Sequence, residues 1–155
     1  MTLAIDRAKY SFYLRVGLAY LLLFLVEILV RNPETFLSRA VNTIWRTPYI
    51  VFINYVFLEF VLPYIKLTWK RMAVAPLLLI GQLFLSSLGL FTWRALGVAL
   101  GIHTSLVTHD SVTKLMGEQT GVGLFSLFFF GVIKHVYDYR KLREATQQLR
   151  IQKQE

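Results

Sequence analysis

Across residues 10–30 only Arg15 and Glu27 carry a charge, and everything around them is apolar, aromatic or small. Three further runs of this kind cover about residues 48–69, 72–93 and 121–137. Each approaches the ~20 residues that an α-helix needs to cross a bilayer core. Runs this long without alternation are not barrel strands, and in lipid every backbone N–H and C=O needs an internal partner, so the runs predict helices. The fold class expected is therefore all-α, an integral membrane bundle of four spans.

Composition agrees. Hydrophobic residues make up 55% and charged residues 17% of the 155, against about 45–50% and roughly 25% in soluble domains. The first run has the length of a full span and no small-residue cleavage site follows it, so it reads as a retained span and not a cleavable signal. With no cysteine in the chain, disulfides and thiolate metal sites are excluded. The net charge of +8 would point to nucleic acid in a soluble protein. In a membrane protein it reads instead as a cytoplasmic excess of Lys and Arg, and no nucleic-acid partner is expected.

The same charges orient the chain. With the N-terminus inside, eleven basic residues fall on the inner side: Arg7, Lys9, Lys66, Lys70, Arg71, Lys134, Arg140, Lys141, Arg143, Arg150 and Lys153. Five fall outside: Arg31, Arg39, Arg46, Arg94 and Lys114. Both termini are thus expected in the cytoplasm, with the protein multi-pass and in contact with membrane lipid. FLSRAVNTIW (residues 36–45) predicts an amphipathic helix on the outer surface. Thr47 and Pro48 predict an N-cap and first helical residue for span two, and GEQTG (residues 117–121) precedes span four. ALGVALGIHTSLV (residues 95–107) is too apolar for an ordinary loop and either extends span three or lies at the interface.

A charge placed inside the bilayer is costly, so it should face a partner or a cavity. Counting 1.5 Å per residue from the helix ends puts Arg15 and Glu59 at one depth on antiparallel spans, which predicts an ion pair. The same count brings Asn54 and Gln82 level in the core, while Glu27 reaches Arg31 locally at i,i+4. Such polar groups serve packing, or a ligand or proton path. His103, His109 and Asp110 form a candidate sensing patch on the outer connection. The i,i+6 spacing of the two histidines is poor for a helical metal pair, so no metal is expected. The Phe-rich run LFSLFFF (residues 124–130) reads as packing and lipid contact. No phosphate loop, zincin motif or nucleophile–base set is present, so neither catalysis nor a cofactor is expected of this chain.

No Gly or Pro separates span four from DYRKLREATQQLRIQKQE (residues 138–155), whose residues are good helix formers. Val132, Tyr139 and Thr146 fall on one heptad core position and Leu142 and Leu149 on the other, a short seam for pairing with a second copy. The stretch reads as the start of a cytoplasmic signalling helix.

The four-span layout, FINYVFLEFVLPYI in span two (residues 52–65) and the direct passage of span four into the charged helix together resemble the sensor region of LytS/YehU-like sensor histidine kinases of the Bacteroidetes type. The resemblance covers the whole chain. It implies a homodimeric sensing module of a two-component system, cut before the phosphoacceptor His, with a C-terminal kinase domain and a response regulator as partners in the full-length system. No catalytic residue carries over. A small ion channel or transporter built on Arg15, Glu59 and Asn54 is the alternative that the residues leave open.

Overall fold

The computed structural model describes residues 6–66, 68–106 and 111–153, apart from the Lys66 side chain. All regular structure among them is helical. Helix α1 (Arg7–Arg31) starts on Asp6, whose carboxylate accepts from the Ala8 N–H at 3.2 Å, and ends where the Asn32 N–H returns to the Ile28 carbonyl ahead of Pro33. A single 3₁₀ turn, Pro33–Thr35, leads into α2 (Phe36–Val56).

The outer surface helix expected over residues 36–45 is not a separate element. It is the first half of α2, and Pro48 lies in the helix interior instead of opening it. The reason is a continuous buried stripe: Ala40, Thr43, Thr47, Ile50 and Asn54 follow one another at helical spacing, while Pro48 itself is exposed. An interior proline costs ~3 kcal/mol or more through its missing N–H and its ring. Packing of that stripe on both sides of Pro48 offsets the cost, and the Thr43 and Thr47 hydroxyls donate back to the Arg39 and Thr43 carbonyls.

Beyond Val56 the helix continues through a π-helical turn, Phe57–Val61, into Leu62–Lys66. Pro63 accounts for this turn. In α register its ring would meet the carbonyl four residues back, that of Glu59. Widening the helix by one residue avoids that, and the Leu62 N–H bonds instead to the Phe57 carbonyl. A one-turn helix, Trp69–Met72, connects to α3 (Ala75–Ala99).

The apolar stretch after residue 95 extends α3 only to Ala99. Gly101, at φ 72°, closes the helix in a Schellman motif, with Gly101 N–H on the Val98 carbonyl and Ile102 N–H on the Gly97 carbonyl. Helix α4 (Val112–Gln152) then runs for 41 residues from a Ser111 N-cap. GEQTG does not precede it but lies inside it. Two helical glycines cost about 1 kcal/mol each, and contacts with α3 outweigh them: the Ser87 hydroxyl bonds to the Met116 carbonyl at 3.0 Å and Thr120 to Ser87 at 3.0 Å.

Helix α1 packs on α2 and α3 on α4, with α2 also touching α3 and α4. The bundle is inverted relative to a soluble one. Tyr13, Tyr20, Ile50 and Phe130 share the interior with Asn54, Gln82, Ser86 and Ser126, while Leu22, Ile80, Phe84 and Phe128 lie on the surface. Small polar residues at helix contacts are the packing chemistry of bilayer bundles. All four helices are long and apolar enough to cross a membrane, which fits a multi-pass membrane protein.

Candidate functional site

Two polar regions lie at opposite ends of the bundle. The first surrounds Glu59, on the π turn. The Tyr13 hydroxyl of α1 donates to Glu59 Oε1 at 2.8 Å. Lys134 Nζ of α4 stands 3.2 Å from the same oxygen, and Lys9 Nζ of α1 stands 3.1 Å from Oε2. Lys134 also reaches Asp138, one turn further along α4, at 3.0 Å. The side chains of Glu59 and Lys134 are only 9% and 18% exposed, so the pair is screened far less than a surface bridge. Two cations and two carboxylates tie three helices together at the point where α4 leaves the bundle.

The expected Arg15–Glu59 pair is therefore corrected: Glu59 is held by Lys9 and Lys134, and Arg15 lies on the exposed face of α1. Helix phase explains the difference. Tyr13, Val16, Gly17 and Tyr20 mark the buried face of α1. Lys9 precedes Tyr13 by four residues and shares that face, whereas Arg15, two residues on, points nearly opposite. Depth was readable by counting; direction required the aromatic stripe.

Asn54 and Gln82 are both buried, as expected, but their amide nitrogens bond to different partners, and Asn54 Oδ1 is buried without one. Asn54 Nδ2 donates to Ser126 Oγ at 3.0 Å and to the Ile50 carbonyl, and Gln82 Nε2 donates to the Ile53 carbonyl at 3.3 Å. Glu27 and Arg31 do form their local pair, at 3.3 Å.

The second region is a cavity of about 410 Å³ at the other end of the bundle, walled by α1, α2, α3, the segment after Gly101 and the start of α4. Trp45 and Trp93 stack at 5.0 Å on its wall, and each indole N–H donates to the other's backbone carbonyl, at 3.0 and 2.7 Å. Gly97 permits that approach, since a Cβ there would stand 2.5 Å from Trp45 Nε1. Asn42 pins the loop: its amide donates to the Thr104 carbonyl at 2.8 Å and accepts the Thr104 N–H at 2.9 Å. Arg31, Arg39, Arg46 and Arg94 line the space against Glu27 and Glu118.

His103 of the expected sensing patch lines this cavity, with its Nδ1 buried and without a hydrogen-bond partner. Burial, and then the charges of Arg94 and Arg46, hold its imidazolium below the usual histidine range. His109 and Asp110 lie outside the described residues. The four arginines went unnoticed in sequence because they were counted as surface charge. Their signal was the recurrence of arginine, with one lysine, as the only basic residue between the first and last spans on that side.

Of the signalling-helix positions, Tyr139, Leu142, Thr146 and Leu149 all lie on the exposed part of α4 beyond the bundle. Among the described residues no group of His, Asp or Glu is arranged to hold a metal. The chain matches no protein-family model, and neither the curated proteins nor the solved structures give a match.

Proposed function

We propose that this chain is the sensing and dimerisation module of a two-component histidine kinase. In this reading it is embedded in the bacterial cytoplasmic membrane with both termini inside. The observation that carries the reading is α4. One unbroken helix begins in the cavity wall, with Glu118, Gln119 and Val122, crosses the bundle, passes the Glu59 cluster at Lys134 and continues to Gln152. Such a helix links whatever enters the cavity to whatever lies beyond the tail. Lys and Arg concentrate at the tail end, which supports a cytoplasmic tail. Leu142 and Leu149 are exposed, with none of the described residues packed over them, which supports pairing with a second copy.

A channel or transporter has less support. Glu59 and the Asn54 amide nitrogen are occupied by protein partners, and Arg15 faces away from the interior.

The chain contains no cysteine, so a Leu142→Cys variant carries a single thiol. In native membranes, oxidation should give a crosslinked dimer, and Lys134→Met should change its yield. A monomer under all oxidising conditions would overturn the dimerisation reading. For the kinase assignment the test is the genomic reading frame. Continuation into a phosphoacceptor His and an ATP-binding domain supports it, and a stop codon after Glu155 removes it.

A further inference from the structure

The arginines of the cavity are unequally committed. Arg31 is paired with Glu27 at 3.3 Å, Arg39 Nε donates to the Thr35 hydroxyl at 2.9 Å, and Arg94 reaches the Ser105 hydroxyl at 3.3 Å. Arg46 differs. Its Nε is buried without a hydrogen-bond partner, and its guanidinium carbon sits 5.8 Å from the centre of the Phe24 ring. A cation–π contact at that distance is weak and supplies no acceptor for the Nε–H. A buried donor without an acceptor is destabilising, and more so when it is charged. His103 Nδ1 is a second unfilled polar atom on the same cavity.

The charge balance favours one kind of occupant. Four guanidinium groups face two carboxylates, one of them already paired with Arg31. Guanidinium forks match carboxylate and phosphate oxygens in planar, bidentate geometry. Phe24, Trp45, Leu90 and Val122 give the walls an apolar part beside these charges and several neutral polar side chains. The volume falls within the ~300–1,000 Å³ of small-molecule sites. The reciprocal Trp45–Trp93 bonds and the Asn42–Thr104 pair fix the walls through contacts within the chain, which limits the ordering cost of binding.

We infer that this cavity binds a small organic anion, taking its carboxylate or phosphate on Arg46 and its apolar portion against Phe24 and Trp45. The anion is either free or the headgroup of a lipid. The assignment deepens the sensor reading by naming what the cavity takes, and it rests on that reading for any effect on the tail.

Trp45 and Trp93 provide the readout. In a Trp69→Phe background they are the remaining tryptophans, and both line the cavity. The protein is placed in nanodiscs of phosphatidylcholine and titrated with butyrate and with butyl phosphate, which carry an anionic and an apolar part. A parallel sample contains phosphatidylglycerol. A saturable fluorescence change with a soluble anion identifies a free ligand. A change produced by phosphatidylglycerol and not displaced by soluble anions identifies a headgroup. Arg46→Gln should weaken either by ~10-fold or more, the equivalent of losing one charge-assisted hydrogen bond. Arg39→Gln, on the rim, should weaken it about 3-fold, and serves if Arg46→Gln does not fold. Arg15→Gln should leave binding unchanged. No saturable change in either disc, or equal affinity in the arginine variants, overturns the assignment. Binding without any change in Leu142→Cys crosslinking would leave the assignment intact and count against the sensor reading alone.

Discussion

Tyr13 and Glu59, 46 positions apart, meet through a 2.8 Å hydrogen bond in which the phenol donates to the carboxylate. That bond fixes the rotamer of Glu59 so that its two oxygens divide between Lys134 and Lys9. The π turn and Pro63 set the backbone beneath it.

Removing members of this cluster should give a graded series. Tyr13→Phe deletes one hydrogen bond to a charged group, a loss of about 1.5–3 kcal/mol. Glu59→Ala removes that bond together with the contacts to Lys9 and Lys134, leaving the mostly buried Lys134 only Asp138, and should cost more, about 3–5 kcal/mol. Lys9 is 55% exposed, so Lys9→Met should cost ~1 kcal/mol or less. Unfolding titrations in detergent–SDS mixtures check the order Glu59, Tyr13, Lys9. A Lys9 loss equal to that of Glu59 would contradict the assigned geometry.

Asn54→Leu sets a useful contrast. Asn54 is buried and bonds to Ser126, yet interhelical hydrogen bonds of this kind in bilayers average only ~0.6 kcal/mol, with a maximum near 1.7. The same SDS titration should therefore show a smaller effect than Tyr13→Phe. A larger one would mean that Asn54 does more than pack.

Gly97→Val should disrupt the tryptophan pair. A Cβ at Gly97 already stands 2.5 Å from Trp45 Nε1 and 3.0 Å from His103 Cβ. Overpacking of this kind costs about 1–3 kcal/mol. Near-UV circular dichroism should lose the signal of the stacked indoles while the far-UV helical spectrum persists.

Acid should weaken the cavity end. Burial, Arg94 and Arg46 lower the His103 pKa, so between its folded pKa and the ordinary 6.5 the unfolded chain binds more protons than the folded one. Stability then rises with pH across that window. The His103 contribution is complete above pH 6.5 and is lost as the pH falls towards the folded pKa. Glu27 and Glu118 face the same cavity and are common to both proteins in the comparison with His103→Gln. Thermal midpoints at pH 7.5 and 5.5 should differ more in the unmodified protein than in the variant.

Much of the architecture was legible from hydropathy alone, because lipid tolerates so few backbone solutions. The four apolar runs became four long helices. The boundaries were less legible where local chemistry and tertiary packing disagreed. Pro48 and GEQTG look like breaks, but the buried stripe of α2 runs on through the one, and at the other Thr120 bonds to Ser87 of another helix, a neighbour that a linear reading does not include. The Glu59 cluster was half legible. The acid announced itself as a buried charge, but choosing Lys9 over Arg15 required the phase of α1. The cavity was least legible, since Arg46 and Arg94, on different helices, share it only once those helices pack, with Trp45 stacked on Trp93.

The position of Lys134 along α4 has a mechanical consequence. It lies 22 residues after Val112 and 18 before Gln152, which at 1.5 Å per residue gives arms of about 33 and 27 Å. A rigid rod pivoting at the Glu59 contact would be a nearly balanced lever. A tilt that displaces the cavity end by one ångström would swing the tail end the opposite way by slightly less. The fulcrum reverses the direction of motion without amplifying it, so a partner beyond Gln152 would receive a displacement on the scale of the ligand's own fit.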